Sequence, residues 1–380
     1  MRLLIFALAT AHIALSGARV GLVMLAFAAQ LPATEVGTVV GLMMVVPAFI
    51  AVPVGRWVDG HGHRVPATSG LLLLFAGAML VAVQPPLAAL AASGMLIGSG
   101  FTLAFVSLNY AIGRRCPPSR RTEAFGLLSV GFSLASIAGP TLVGFAIDHC
   151  GFSVAFWLLA LAPAASLGLL WCDGHLAAAQ APPPVARAAR RSDRGVLALL
   201  RERALRPVLV ASALMAMAWD LFTFLVPLHA ARIGLSASTI GLIAGAFGLG
   251  NLVVRIAIPH LSRRLDDWSL LALAFGLAAL GYGLLPLSSD AGWLLLIGFL
   301  LGVVLGAGNP VTISLVYSTA PADRSAEAGG LRYAITGVSQ SSLPMASGAL
   351  AAAWGAAPVF LATSAMLALG ALVAAARRRR

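Results

Sequence analysis

Two ionisable residues stand alone within long apolar stretches of the sequence, Arg19 near the N-terminus and Asp220 in the second half. If these stretches cross a bilayer, a charge at its centre costs at least about 2.5–3.5 kcal/mol, and such residues commonly mark a binding site or a proton pathway. The planar guanidinium of Arg19 suits a carboxylate, whether that of Asp220 or that of a ligand. Two interpretations stay open: a substrate or proton site in which Arg19 is the countercharge of Asp220 or a ligand for a substrate carboxylate, or a static salt bridge.

Three amide side chains fall in other apolar stretches, those of Asn251, Asn309 and Gln340. Asn309 precedes a proline, and this pair is expected to interrupt a helix and expose backbone carbonyl groups to a cavity. The alternative for all three is an ordinary hydrogen bond between membrane helices. We include the three amides with Arg19 and Asp220 in the candidate substrate and proton site.

The composition requires lipid as the surroundings of most of the chain. The 380 residues are 60% hydrophobic and 10% charged, whereas about 25% of an average soluble domain is charged. This excludes a soluble enzyme, a disordered tail and a nucleic-acid-binding domain. The three cysteines show no spacing typical of metal ligands, so we predict neither a metal site nor a cofactor.

Twelve apolar runs bounded by glycine, proline or charge are the predicted membrane-spanning helices, since about 20 apolar residues cross a bilayer. They fall near 5–29, 36–57, 67–84, 88–113, 123–147 and 152–172, and again near 207–230, 237–259, 268–287, 291–317, 327–352 and 355–376. Between the two sets, 173–206 contains a run of three prolines and seven arginines, which indicates a polar linker with an amphipathic helix near 193–205. The predicted domains are 1–172, the linker 173–206, and 207–380.

The positions of the arginines predict the topology. The net charge is +12, and all 25 basic residues are arginine. Of these, 21 lie at the termini, in the linker and in the loops after even-numbered helices, whereas only Arg232 follows an odd-numbered helix. Because cytoplasmic loops carry the excess of basic residues, we predict that both termini lie in the cytoplasm, with the protein in the inner membrane of a bacterium. Arg255 and Arg332, near the cytoplasmic ends of their helices, are expected to extend to the membrane surface.

The two sets of helices repeat one six-helix unit. With an offset of 204 residues, several glycines, prolines and a glutamate align without a gap: Gly37, Gly41, Glu123, Pro140, Gly144 and Gly151 fall on Gly241, Gly245, Glu327, Pro344, Gly348 and Gly355. Since each unit has an even number of helices, both copies have the same orientation and are related by an axis along the membrane normal. Transporters built in this way bind substrate near the midplane, between their halves.

The segment between the second and third predicted helices contains a motif. Its sequence, from Gly55 to Arg64, is GRWVDGHGHR, which resembles motif A of the major facilitator superfamily: Gly55, Asp59, Gly62 and Arg64 match, while a glycine replaces the usual arginine after Asp59. The alternative is an ordinary cytoplasmic turn. With the repeat and the basic linker, the resemblance covers the whole chain. It implies an all-α membrane protein whose 12 transmembrane helices form two parallel six-helix bundles, and a contact of Asp59 with the eleventh helix that holds an outward-open state.

A second resemblance lies in the fifth predicted helix. Gly131, Gly139, Pro140 and Gly144 are similar to motif C, the Gly-Pro motif associated with antiporters of the superfamily. The alternative is a face of small residues that packs against a neighbouring helix. The arginine that proton-coupled drug antiporters usually carry in the fourth helix is absent from 94–100.

The sequence thus predicts a secondary active transporter rather than an enzyme. It contains no GxxxxGK[ST] loop for nucleotide phosphates, so a gradient, most simply of protons, is the expected energy source. Motif C favours export of a drug or metabolite, whereas Arg19 favours uptake of a small organic anion. A membrane-embedded enzyme and a non-transporting receptor are the other classes considered. The expected partners are a small-molecule substrate, protons and membrane lipid, with no nucleic acid, and the protein is expected to be a monomer.

Overall fold

The computed structural model describes residues 2–83, 87–117, 120–172, 196–261, 264–320 and 325–378. These ranges are helical, and no β-strand occurs in them. The α-helices are α1 Arg2–Ala28, α2 Ala33–His61, α3 Arg64–Ala82, α4 Leu87–Arg115, α5 Arg121–Cys172, α6 Leu205–Arg232, α7 Ala237–Leu261, α8 Asp267–Leu284, α9 Ala291–Thr319, α10 Ser325–Trp354 and α11 Ala356–Arg378. Two short 3-10 helices lie at Val196–Arg201 and Leu285–Leu287.

Helix α5 combines two of the predicted helices. Gly151 interrupts it with φ 80° and ψ 171°, a conformation that glycine adopts without the steric cost of a Cβ. The arms 121–150 and 152–172 are each long enough, at about 1.5 Å per residue, to cross a hydrocarbon core of about 30 Å. In the described part of the chain, 10 helices are long and apolar enough to cross a membrane, with α5 counted once and α10 not among them.

The backbone repeats the sequence offset. Gly355, 204 residues after Gly151, has nearly the same φ, 83°. Gln30 and Gly234, which follow α1 and α6 and are also 204 residues apart, both have positive φ, 59° and 82°. The repeat therefore extends from residue identity to the geometry of the turns.

Equivalent helix pairs join the two halves of the molecule, α2 with α10 and α5 with α7. Glycines bring the backbones into direct contact at these crossings: Gly37 lies against Pro344 and Gly348, and Gly241 lies against Pro140 and Gly144. The second set of contacts follows from the first by the 204-residue offset. Small residues allow such close approach between membrane helices, whose association depends on packing rather than on a hydrophobic driving force.

These contacts lie near one end of the bundle, which we call the closed face and which holds the turns at Gln30, Gly151, Gly234 and Gly355. The other end, the basic face, holds the start of α1, the end of α11 and exposed arginines such as Arg64, Arg114 and Arg264. There, no described atom lies within 4 Å of the position that a Cβ would take on Gly55 or Gly330. The close backbone contacts between the halves therefore lie near the closed face, whereas nearer the basic face the side chain of Arg255 in α7 reaches Ser129 in α5.

The outer surface of the bundle is apolar, as contact with lipid requires. Leu161 of α5, Leu280 of α8 and Leu369 of α11 are 59%, 63% and 62% exposed. No water-soluble protein of this size would leave so many large apolar side chains uncovered on its outer helices. This agrees with a multi-pass membrane protein.

The linker differs from its prediction where it is described; 173–195 lie outside the described residues. A 3-10 helix at Val196–Arg201 takes the place of the amphipathic α-helix predicted near 193–205. The Arg206 Nε donates to the Leu200 carbonyl at 2.5 Å. This bond joins the 3-10 helix to the first turn of α6.

We expect Gly144→Val to lower thermal stability, because the added side chain would overlap the Ala237 carbonyl of α7. Overpacking of this kind costs about 1–3 kcal/mol in the free energy of unfolding. Gly126→Val, on the same helix, is the matched control, since no described atom lies within 4 Å of its Cβ position. Thermal unfolding of both purified variants measures the difference, and equal losses would contradict the close approach of α5 and α7.

Candidate functional site

Arg19 of α1 and Asp220 of α6 form an ion pair between the two halves. Arg19 Nη2 lies 3.1 Å from Asp220 Oδ1, and the exposed fractions of the two side chains are 13% and 0%. Asp220 Oδ2 and Arg19 Nε have no hydrogen-bond partner among the described residues. The pair is thus joined by a single hydrogen bond rather than by the stronger two-bond arrangement of arginine with a carboxylate.

Two cavities lie between the halves. The smaller, of about 120 Å³, is bordered by Arg19, Thr223 and Phe247, while the larger has a volume of about 460 Å³. His12, Met44 and Trp219 border both cavities and separate them. Asp220 borders neither, so Arg19 is the member of the ion pair that faces a cavity.

The larger cavity brings together the three predicted amides, Asn251, Asn309 and Gln340. They come from α7, α9 and α10, three helices of the C-terminal half. Asn251 is buried, whereas Gln340 is partly exposed and Asn309 exposed. The amides therefore share a cavity with each other but not with Arg19 and Asp220.

Two arginines that the sequence analysis assigned to the membrane surface also line the larger cavity. Arg255 donates through Nε to Asn251 Oδ1 at 3.1 Å and through Nη1 to the carbonyl and hydroxyl oxygens of Ser129 at 2.5 Å. Arg332 donates through Nη2 to Asn309 Oδ1 at 2.5 Å and to Thr312 Oγ1 at 3.1 Å. The expectation that they extend to the surface is wrong, because each finds acceptors inside the bundle. Their position inside apolar runs of the sequence was the signal that could have identified them as cavity residues.

The Gly-Pro motif of α5 contacts two neighbouring helices. Gly131 and Gly139 lie against α1, the latter directly against Gly17, and Gly144 lies against α7. Pro140 borders the smaller cavity. These contacts give the small residues a packing role, both within one half and between the halves.

The residues that resemble motif A lie at the basic face, away from both cavities. Gly62 ends α2 with φ 83°, and its N–H donates to the Val58 carbonyl at 2.9 Å, so a glycine is required there by conformation. Asp59 and Arg64 are exposed, and Asp59 has no hydrogen bond or ion pair with any described residue. Its contact with the eleventh predicted helix, α10, stays a prediction for a state in which the halves meet at the basic face.

Sequence reasoning did not single out Asp148, which joins the halves at the closed face. Asp148 of α5 accepts hydrogen bonds from the N–H groups of Ala237 and Ser238, at 3.0 and 2.7 Å, and from the Ser238 hydroxyl at 2.5 Å. It thereby caps the first turn of α7 and complements the positive end of its dipole. The partners are about 90 residues away in sequence, so no local pattern could identify them.

The described lining of the two cavities offers groups that can bind a ligand. In the described ranges, no three His, Cys, Asp or Glu side chains converge in a way that could hold a metal ion. The cavities offer amides, guanidinium groups and aromatic rings, which recognise a small polar or amphipathic molecule. Both cavities are lined by residues of the two halves.

Comparisons with known proteins agree with this architecture. The Major Facilitator Superfamily model matches residues 4–331. A mutant of the peptide transporter POT, solved in complex with sulfate, is similar with a TM-score of 0.83 at 19% identity, covering 100% of this chain and 94% of that chain. A POT family transporter solved with 5-aminolevulinic acid gives a TM-score of 0.79 at 14% identity, over 98% of this chain and 94% of that one. No curated protein matches the sequence significantly. The family match spans well over half of the sequence, and the protein therefore belongs to the major facilitator superfamily.

Proposed function

We propose that the protein is a secondary active transporter that carries a small molecule across a membrane by alternating access. The observation that supports this best is the set of cavities between two repeat-related halves, whose close backbone contacts lie near the closed face. Parallel repeats of this kind rock around a midplane site and expose it to each side in turn. The fold and the family favour transport, and we propose no enzymatic activity and no cofactor.

For the topology, we propose twelve crossings, with the two arms of α5 counted separately and α10 included. Helix α10 is less apolar than the others because it contributes Arg332, Thr336 and Gln340 to the larger cavity, and a helix that lines a cavity need not be apolar on every side. Two six-helix bundles, 1–172 and 207–380, then flank the linker 173–206. The excess of arginines supports a cytoplasmic location of the basic face in a bacterium, and we propose that the described conformation is open to that side.

Proton coupling through Asp220 is the proposed energy source. Protonation of this carboxylate would remove the charge that holds Arg19, the ion pair would break, and the link between α1 and α6 would loosen. Protonated Asp220 would leave Arg19 charged and buried without a countercharge, which is unfavourable. Binding of a proton would therefore destabilise the conformation that contains the ion pair. The absence of a nucleotide-binding loop from the sequence supports a gradient over ATP.

For the direction of transport, export of a drug or metabolite is proposed ahead of uptake, on the resemblance of α5 to motif C. Uptake of a small organic anion is the alternative. The structural similarity to POT transporters, one of which was solved with 5-aminolevulinic acid, supports this alternative. We propose that the protein acts as a monomer in lipid, with a small-molecule substrate and protons as its partners.

The proposal as a whole is tested in two steps. A thermal-shift screen of small molecules on the purified protein identifies a ligand, because binding to the folded state raises Tm. Flux of that ligand is then measured in proteoliposomes with and without a pH gradient. A ligand that binds without being transported under either condition would favour a receptor over a transporter.

Opening of the closed face is expected to depend on Asp148. We expect Asp148→Ala to increase the rate at which a cysteine at position 244, in the smaller cavity, reacts with an impermeant thiol reagent applied at the closed face. The reason is the loss of three hydrogen bonds to α7. The measurement uses Ala244→Cys in a background without the three native cysteines. Asp148→Asn keeps one acceptor oxygen and should react at an intermediate rate; identical rates in all three proteins would refute this role.

The ion pair is tested by a double-mutant cycle. Asp220→Asn leaves Arg19 buried without its countercharge, and breaking a buried pair in this way costs about 3–5 kcal/mol, whereas removing both partners costs less. We therefore expect the double variant Arg19→Gln/Asp220→Asn to have a higher Tm than either single variant. Additive losses across the cycle would show that the two side chains do not interact.

The same variants separate proton coupling from a static salt bridge. If Asp220 carries the proton, flux of the screened ligand through Asp220→Asn no longer responds to a pH gradient, although exchange of ligand across the membrane persists. The control is Asp267→Asn at the basic face, which should retain the response. Unchanged transport and unchanged pH dependence in Asp220→Asn would rule out the proton role and leave the static bridge.

A further inference from the structure

The larger cavity carries positive charge, and no acidic side chain of the described residues lines it. Arg255 and Arg332 line it, and its described lining contains no aspartate or glutamate. Every acceptor that the two guanidinium groups find is neutral: Asn251, Ser129, Asn309 and Thr312. Arg332 Nε has no hydrogen-bond partner among the described residues.

The described acidic residues do not line this cavity. Asp220, near the middle of a predicted span, is paired with Arg19. Arg255 and Arg332 are partly buried, and a partly desolvated cation with neutral partners attracts an anion that enters the cavity.

Another part of the wall of the same cavity is aromatic. It consists of Phe101, Phe105 and Phe132 from the N-terminal half, with His12 beside them. The His12 ring centroid lies 5.3 Å from that of Phe101 and 4.8 Å from that of Phe132, and the Phe105 ring centroid lies 5.9 Å from that of Phe132. These rings form a continuous apolar surface, and Arg255 reaches its edge through Ser129, one turn before Phe132 in α5.

The repeat makes this division of the cavity clear. Phe105 and Asn309 occupy equivalent positions of the two halves, and so do Phe132 and Thr336, each pair separated by the 204-residue offset. The N-terminal half thus presents rings where the C-terminal half presents groups that form hydrogen bonds. The two walls of the cavity differ in chemistry although the helices behind them are related by the repeat.

We propose that the larger cavity binds an amphipathic organic anion, whose carboxylate or phosphate pairs with Arg255 and Arg332 and whose apolar body packs against Phe101, Phe105 and Phe132. This inference rests on the proposed transport function and names its substrate class. The volume, about 460 Å³, lies within the range of about 300–1,000 Å³ typical of sites for small ligands. Asn251, Asn309 and Gln340 supply further hydrogen bonds to the polar end of the ligand.

The test uses probes that separate charge from apolar contact. The full-length protein is purified, and its Tm is measured with 2-naphthoate, with the neutral 2-naphthamide and with acetate, at matched ionic strength. We expect 2-naphthoate to raise Tm in a saturable manner, and 2-naphthamide and acetate to have little effect at the same concentrations. A parallel titration with 2-naphthyl phosphate shows whether a phosphate is preferred to a carboxylate.

Variants assign the effect to the cavity. In Arg255→Gln and Arg332→Gln, the half-saturating concentration of 2-naphthoate should rise at least about tenfold, because each removes a charged hydrogen bond. Arg264→Gln, at the exposed basic face, is the matched control and should behave as the original protein. Arg255→Lys and Arg332→Lys keep the charge, should retain part of the affinity, and preserve the test if the Gln variants do not fold.

Three outcomes would overturn the inference. The first is no shift of Tm with 2-naphthoate or with 2-naphthyl phosphate, and the second is an equal shift with 2-naphthoate and 2-naphthamide. The third is a 2-naphthoate shift that both Gln variants retain. Binding is measured here without a gradient and without flux. Loss of the anion site with intact flux of another compound would therefore reject this inference alone. Binding of 2-naphthoate without flux of any ligand would instead contradict the transport proposal.

Discussion

The absence of water from the hydrocarbon core is the constraint on which this structure depends. Backbone groups form helices in the core because every N–H and C=O within a helix then has a hydrogen-bond partner along its own segment. Ionised side chains point into the bundle, where they find polar partners. Arg19 pairs with Asp220, and Arg255 donates hydrogen bonds to Asn251 and Ser129. Polar groups therefore collect between the two halves, where the cavities lie.

The interface between the halves combines contacts of different strength. At the closed face, glycines such as Gly37 and Gly348 bring backbones together, and Asp148 caps α7 through hydrogen bonds that are exposed to solvent. Exposed hydrogen bonds exchange readily with water, so their net contribution is about 0.5–1.5 kcal/mol each. Midway through the bundle, a single hydrogen bond joins Arg19 to Asp220. These contacts hold the described conformation, and the alternating access proposed above would require them to break.

The repeat fixes the backbone of the site but not its chemistry. Turns at Gly151 and Gly355 have nearly the same φ, 80° and 83°, so the helices that follow them enter the bundle in the same way. Side chains at equivalent positions have nevertheless diverged, with Phe105 in one half and Asn309 in the other. The N-terminal half contributes the rings of the larger cavity and the C-terminal half its amides and guanidinium groups, a combination that suits the amphipathic ligand proposed above.

The sequence by itself determined the helical membrane architecture and the repeat, because the lengths of the apolar runs, the distribution of charge and the residue offset can be read from it directly. It also suggested the pairing of Arg19 with Asp220, as one of two interpretations. Only the tertiary structure decided that Arg255 and Arg332 face a cavity, that Asp148 reaches α7, and that Gly139 packs on Gly17. The reason is physical: lipid is as apolar as a protein core, so hydropathy does not distinguish the side of a membrane helix that faces lipid from the side that faces its neighbours. Which side faces the cavity is set by packing between helices that are distant in sequence.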